Sequence, residues 1–143
     1  MYHATVRAII RRTWRRMHAG DYEAAVSMAA PDMRFHFVGD TALGAETRGR
    51  NAFRAWFDRF TEHLPDVRLA LTDVVVSGWP WSTTVAARLR VAGTLDDGTP
   101  YENQAIQWVT LRWGRVVDDV VLEDTLALDR ALRRQSQLRA TAP

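Results

Sequence analysis

The spacing of apolar residues changes at the segment Leu64-Pro65-Asp66, and this change constrains the fold more than any other feature. Before the segment, apolar side chains recur every three or four residues, which is the period of an amphipathic helix. After it, they alternate with polar side chains, which is the period of a half-buried strand. Helices that come first and strands that come later predict an α+β fold.

The individual elements follow from the same spacing and from the residues that break it. Helices are predicted over residues 3–18, from Asp21 to about residue 29, and from Asn51 to about residue 63, with Asp21 and Asn51 as N-caps. Between the second and third helices, a strand is predicted over residues 33–38 and a loop over residues 39–49. The later elements are strands near 67–71 and 85–91, a hairpin turn at Asp97-Gly98, strands over 101–112 and 116–123, and a helix over 125–135.

Composition limits the classes of protein that this chain can form. With 143 residues, of which 47% are hydrophobic and 25% charged, the chain is expected to form a single globular domain over residues 1–143. The absence of cysteine excludes disulfides and thiolate metal sites. No apolar run approaches the roughly 20 residues of a membrane span, so a soluble, cytoplasmic protein is expected. The four histidines have no ligand spacing, and no metal is expected.

All 19 basic residues are arginine, yet the formal net charge is only +2. Arginines cluster at 11, 12, 15 and 16 and again at 130, 133 and 134. Neither cluster carries the aromatic platform of a single-strand binder, so no nucleic-acid partner is expected. Solvated helix faces are the preferred interpretation of both clusters.

Four stretches of the chain resemble a known family. They are residues 20–25 with Pro31-Asp32, Arg48-Gly49-Arg50 with Phe53 and Trp56, residues 64–69, and residues 114–117 followed by 123–126. Together they resemble the nuclear transport factor 2-like superfamily, which includes ketosteroid isomerase, limonene epoxide hydrolase and SnoaL-like polyketide cyclases. The resemblance covers about residues 5–135. It implies a cone-shaped, barrel-like fold with three N-terminal helices packed on a strongly curved antiparallel sheet, a short C-terminal helix, and a homodimer formed through the sheet.

Two of the superfamily's chemistries match this sequence only in part. By position, His36 and Gln107 stand where ketosteroid isomerase has its general-base and oxyanion aspartates, and Thr13 lies near its oxyanion tyrosine. Steroid isomerisation is therefore not expected. Limonene epoxide hydrolase has an arginine and an aspartate two residues apart on a middle strand. The middle strand here has Arg88 and Arg90, so one acid is missing, while Asp124 matches the family's second aspartate at the end of the last strand.

The resemblance to SnoaL-like cyclases implies cofactor-independent acid/base catalysis on a polyketide-like carbonyl compound. Those enzymes use an aspartate near the end of the last strand, and Asp124 matches it. His36 is the expected partner of Asp124, and Gln107 the expected hydrogen-bond donor. The residues expected to bind the hydrophobic substrate are Trp14, Trp56, Phe60, Arg88, Tyr101, Asn103 and Glu123.

Several alternatives remain open from the sequence. Asp124 directly precedes a helix and can be its N-cap, in which case Glu123 would replace it in the cavity. His36 can be a hydrogen-bonded interior histidine instead of a catalyst. If the strand over 101–112 is turned over, Ile106 and Trp108 face inward in place of the amides. The alternative functions are another cyclisation, an epoxide hydrolysis, or non-catalytic binding of a hydrophobic small molecule.

Overall fold

A computed structural model describes residues 1–143 and contains four helices and six strands. The helices are α1 (Tyr2–His18), α2 (Glu23–Met28), α3 (Arg50–His63) and α4 (Thr125–Thr141). The strands are β1 (Ala29–Phe37), β2 (Ala45–Arg48), β3 (Arg68–Trp79), β4 (Ser82–Thr94), β5 (Pro100–Arg112) and β6 (Arg115–Glu123). None of the four helices is long and apolar enough to cross a membrane.

All six strands form one curved sheet in the order β2-β1-β6-β5-β4-β3. Strands β3 to β6 pair through successive antiparallel hairpins, as the turn signals predict. The expectation of a purely antiparallel sheet is wrong at one pairing, because β1 runs parallel to β6. Parallel neighbours need a long connection, and the chain between these two strands supplies one that includes α3 and four other strands. The α+β fold is thus confirmed, with a mixed sheet.

The apolar stripes of the two long N-terminal helices form much of the core. Helix α1 buries Val6, Ile10, Trp14 and Met17, which lie on one face at helical spacing. Helix α3 buries four aromatic residues that pack against one another and against β1. The ring of Phe35 on β1 lies 5.1 Å from Trp56, and that of Phe37 lies 4.9 Å from it, measured between centroids.

Three local predictions differ from the structure. The loop expected over 39–49 contains the edge strand β2, whose polar residues have no apolar pattern to reveal them. Neither Asp21 nor Asn51 caps a helix, because α2 and α3 begin at Glu23 and Arg50 without side-chain caps. At the N-cap of α3, Gly49 has φ of 94°, a conformation that favours glycine, and its N–H donates to the carbonyl of Met33.

The C-terminal helix is longer than expected. It spans 17 residues instead of ending near residue 135, so the prediction of a short helix is wrong. Gln135 explains the difference, because this buried amide donates to the carbonyl of His63 and bonds Asp96 through both its amide nitrogen and its oxygen. Arg139 extends the contact by pairing with Asp96 at 2.9 Å. These polar contacts fix the C-terminal part of α4, which follows its last buried apolar residue, Leu132.

Candidate active site

An apolar cavity lies between helices α1 and α3 and the inward face of the sheet. Seventeen of its 21 lining residues are hydrophobic, and its volume is about 70 Å³. Trp14 lines it from α1, and Trp56 and Phe60 line it from α3. The volume is well below the roughly 300–1,000 Å³ of pockets that enclose drug-sized ligands. A ligand with several fused rings therefore fits only if the walls move or if part of it lies outside.

Strand β6 brings two carboxyl groups into this cavity. The register between β5 and β6 shifts where Thr110 pairs with Asp118 and Leu111 pairs with Val116, which leaves one extra residue on β6. Beyond that bulge, the inward positions are Asp119, Val121 and Glu123, all of which line the cavity. Because strand side chains alternate, the bulge decides which acids face the apolar interior.

Glu123 is a buried carboxyl group with a defined hydrogen-bond partner. Its Oε1 accepts a bond of 2.9 Å from the hydroxyl of Tyr101, which is also buried. Burial raises the pKa of Glu123 to about 7, and hydrogen bonds from Tyr101 and Asn103 offset part of that rise. Glu123 is therefore poised to take up or release a proton near neutral pH.

Asp119 is the second buried carboxyl group of the cavity. Its Oδ1 accepts a hydrogen bond of 3.1 Å from Nε2 of Gln107 on β5. Burial raises the pKa of Asp119 to about 7, against the opposing effect of the Gln107 amide. Its neutral form, which is favoured below that pH, has an O–H donor that an ionised carboxylate lacks.

Gln107 lies between the two acids along the sheet. It pairs with Val121, while the neighbouring pairs are Val109 with Asp119 and Ala105 with Glu123. At about 3.3 Å per residue, the Cα atoms of the two acids lie about 13 Å apart, so the carboxyl groups act on different parts of a ligand. An amide donor thus stands between two groups that titrate near neutrality.

The family of the chain follows from its sequence. Residues 10–119 match the model of the SnoaL-like domain family. This chain belongs to the SnoaL-like domain family. No protein of curated function matches it.

Solved structures share the fold of this SnoaL-like chain over nearly their whole length. Bal32a, from a soil-derived mobile gene cassette, is 20% identical with a TM-score of 0.76, and the match covers 88% of this chain and 95% of Bal32a. IdmH, a candidate polyketide cyclase from Streptomyces antibioticus, is 22% identical with a TM-score of 0.70, covering 88% and 96%. TerC, co-crystallised with polyporic acid, is 20% identical with a TM-score of 0.70, covering 90% and 97%. At these identities the likeness shows the fold alone.

Several residues expected at the site of this SnoaL-like protein do lie together. Gln107, Glu123, Trp14, Trp56 and Phe60 all line the cavity. Tyr101 and Asn103 lie next to it: Tyr101 bonds Glu123, and Nδ2 of Asn103 donates to the hydroxyl of Tyr101 at 2.8 Å. Ile106 and Trp108 are about half exposed, so β5 turns its amide-bearing face inward, as expected. Thr13 also lines the cavity.

Asp124, the expected acid/base, lies outside the cavity. It is the N-cap of α4, and its Oδ1 accepts hydrogen bonds from the backbone N–H groups of Leu126 and Ala127. The expected location is therefore wrong, and Glu123 occupies the inward position. The bulge on β6 is the cause, because it shifts the inward face by one residue.

His36 and Arg88 lie on the outer face of the sheet. Met33, Phe35 and Phe37 are the buried positions of β1, so alternation turns His36 away from the cavity, beside Glu46 of β2. Arg88 is exposed on β4 between the buried residues Ala87 and Leu89. The expectation that His36 and Asp124 face one cavity is wrong, and so is the expectation that Arg88 contacts the substrate there.

Asp119 is the functional candidate that the sequence did not reveal. If β6 alternated regularly from the buried Val116, its inward positions would be 118, 120, 122 and 124. Asp119 would then face solvent. Only the pairing of β6 with β5 locates the bulge that reverses this order. No group of three or more histidine, aspartate or glutamate side chains is arranged to hold a metal ion.

Proposed function

We propose that this SnoaL-like protein is a cofactor-independent enzyme of the cyclase or isomerase type that acts on a carbonyl compound. The observation that carries the proposal is the pair of buried carboxyl groups, Asp119 and Glu123, which face one apolar cavity with pKa values of about 7. Buried acids without a counter-charge destabilise a fold when they ionise, and perturbed pKa values concentrate at functional sites.

In the proposed reaction, Glu123 is the base. Its carboxylate removes a proton from the carbon beside a carbonyl group, and the electron pair moves to the carbonyl oxygen to give an enolate. The hydroxyl of Tyr101 supports this role because its hydrogen bond stabilises the ionised carboxylate. In an isomerisation, Glu123 returns the proton to another carbon. In an aldol closure, the enolate carbon attacks a second carbonyl of the same molecule, and the proton goes to the new alkoxide.

Gln107, midway between the two acids, is the proposed donor to the enolate oxygen, and Asp119 is the proposed donor to a second oxygen of the ligand. Asp119 is buried, so its neutral form with an O–H group is favoured below about pH 7. Gln107 uses one N–H of its amide for Asp119, which leaves its second N–H for a ligand. Donors in a dry cavity stabilise a developing negative charge more strongly than donors in water do.

The chain's structural relatives favour a polyketide-like carbonyl substrate, while the cavity limits its size. IdmH is a candidate polyketide cyclase, and TerC was crystallised with polyporic acid. A cavity of about 70 Å³ encloses only the reacting end of such a molecule. Epoxide hydrolysis of the limonene type is less well supported, because Arg88 lies on the opposite face of the sheet.

Exchange of α-protons in heavy water tests the proposed catalysis without knowledge of the natural substrate. Small flat ketones such as 1-indanone are incubated with the protein, and NMR follows the loss of the α-proton signal. We expect Glu123→Gln to lower the exchange rate at least about 100-fold, as removal of a general base does. The matched control is Glu102→Gln, which changes an exposed glutamate of β5.

Two outcomes would contradict the proposal. An exchange rate in Glu123→Gln equal to that of the wild type would exclude Glu123 as the base. A wild type that binds small ketones without exchanging their protons would favour the alternative function, a protein that only binds a hydrophobic small molecule.

A further inference from the structure

A second, solvent-open groove adjoins the cavity between α1 and the edge strand β3. Its volume is about 530 Å³, and it is lined by Arg11, Trp14, Arg15 and His18 of α1 and by residues 70–74 of β3. The groove is several times larger than the buried cavity, and four of its nine lining residues are hydrophobic, against 17 of 21 in the cavity. It is therefore a separate environment at the side of the same helix.

The shape of the edge strand opens this groove. The pairing of β3 with β4 shifts register between Leu71 and Asp73, so Thr72 is an extra residue. Such a bulge bends the strand and increases its local twist. On the N-terminal side of the bulge, Nδ1 of His18 donates a hydrogen bond of 3.1 Å to the carbonyl of Leu69, which fixes the end of α1 to the strand.

Trp14 forms the boundary between the groove and the cavity. Its side chain is 7% exposed, and it lines both spaces. Leu69 lines the cavity and Leu71 lines the groove, so β3 also continues from one space into the other. A flat molecule therefore occupies both spaces only when the indole of Trp14 turns aside.

The groove has an excess of positive charge. None of the seven ion pairs in the structure includes Arg11 or Arg15. The one carboxylate that lines the groove, Asp73, accepts a hydrogen bond from the backbone N–H of Val74. Two guanidinium groups one helical turn apart are thus free for an oxyanion, which arginine binds through paired N–H donors.

We propose that this groove binds a carboxylate at the far end of the substrate, while the reacting carbonyl end lies in the cavity. Arg11 and Arg15 hold the carboxylate, and the aromatic body of the substrate passes beside Trp14. The location of the reacting end rests on the proposed function. The substrate class is therefore an aromatic or polyketide-like carbonyl compound that carries a carboxylate, and its length exceeds what the cavity encloses.

A pair of matched probes tests this assignment by equilibrium binding. The probes are 2-naphthoate and its neutral analogue 2-naphthamide, each titrated calorimetrically at low ionic strength. We expect the wild type to bind naphthoate about fivefold more tightly, as an exposed arginine–carboxylate pair allows, and the preference to shrink as salt is added. The double variant Arg11→Gln/Arg15→Gln should lose the preference and keep its affinity for naphthamide. The control Arg12→Gln changes an exposed arginine of α1 outside the groove.

Equal affinity of the wild type for both probes would overturn the inference, as would failure of both to bind. An equal loss of preference in Arg12→Gln would also overturn it, because it would show a general effect of helix charge. The test is independent of turnover. A wild type that exchanges α-protons but shows no preference for naphthoate refutes only the groove. An active Glu123→Gln with the preference intact refutes only the proposed catalysis.

Discussion

The hydroxyl of Tyr101 donates its proton to Glu123, and the surrounding bonds fix that direction. Nδ2 of Asn103 donates to the tyrosine oxygen at 2.8 Å, so the oxygen is an acceptor there and its one proton goes to Oε1 of Glu123. Oδ1 of Asn103 accepts from the backbone N–H of Gln104, which sets the orientation of the amide. The network therefore directs the tyrosine proton to the carboxyl group of Glu123.

Tyr101→Phe removes that donor, and we expect the pKa of Glu123 to rise further above 7. The hydroxyl stabilises the ionised carboxylate, so its loss favours the neutral acid. A hydrogen bond of about 1 kcal/mol corresponds to a shift of about one pH unit. The pH profile of α-proton exchange should move upward by that amount, with a lower rate at pH 7.

The matched control for Tyr101→Phe is Tyr2→Phe, because Tyr2 bonds Thr83 away from the cavity. A pH profile of Tyr101→Phe that coincides with that of the wild type would show that the hydroxyl does not govern Glu123.

Asp119 makes the stability of the fold depend on pH. Its pKa of about 7 in the folded chain lies above the roughly 3.9 of an unfolded aspartate, so the folded state holds the proton more tightly. Stability gained in this way is present below about pH 4 and is lost as the pH rises through 7. Asp119→Asn removes the effect. We therefore compare the free energy of unfolding of Asp119→Asn with that of the wild type. The difference, variant minus wild type, should increase by at most about 3 kcal/mol as the pH rises from 5 to 8.

Urea unfolding of both proteins across that range measures the difference. Asp32→Asn is the control, because this aspartate of β1 is exposed and is not among the groups that shift the pKa of Asp119. A constant difference between Asp119→Asn and the wild type from pH 5 to pH 8 would mean that Asp119 ionises as freely in the fold as in the unfolded chain.

Asp124 is expected to stabilise α4 and to leave catalysis unaffected. Loss of a capping carboxylate costs about 1 kcal/mol, whereas asparagine caps nearly as well as aspartate. Asp124→Ala should therefore lower the free energy of unfolding by about 1 kcal/mol, and Asp124→Asn should change it little. Both should exchange α-protons at the wild-type rate. A large loss of exchange in Asp124→Asn would restore the catalytic role that the family resemblance implies.

The contrast between Gln107 and Asp119 shows how far a sequence predicts this site. Gln107 lies on a regular strand, where alternation and the resemblance together predict its inward face. Asp119 follows a bulge, and the position of that bulge depends on the pairing of Thr110 with Asp118. The two strands form one hairpin, yet alternation alone does not show which residue of β6 is the extra one.

His36 illustrates a different kind of error. Alternation between Phe35 and Phe37 already predicts that the histidine faces the other way. The family resemblance led to the opposite assignment because it aligns positions without regard to the face of the strand. The helices and hairpins followed from local spacing, whereas the parallel contact of β1 with β6 required knowledge of the whole sheet.

The outer face of the sheet carries an apolar stripe, and we expect a second copy of this chain to cover it. Trp108 pairs with Ala86 on β4 and Val120 on β6, and Ala86 pairs with Val75 on β3, so the stripe crosses four strands. Val75 and Trp108 are more than half exposed. Exposed apolar patches of this kind mark interaction surfaces, and a face that continues across the sheet can meet its own copy about a two-fold axis.

Trp108→Arg should disrupt that contact, because each copy would place a charge in an apolar interface. Light scattering coupled to size-exclusion chromatography measures the outcome: a dimeric wild type and a monomeric, folded variant are expected. The control Gln104→Arg adds the same charge at an exposed position of the same strand, two residues before Ile106. This variant should remain dimeric. A wild type that elutes as a monomer at all concentrations would refute the dimer. Dimers of Trp108→Arg would place the interface on another face.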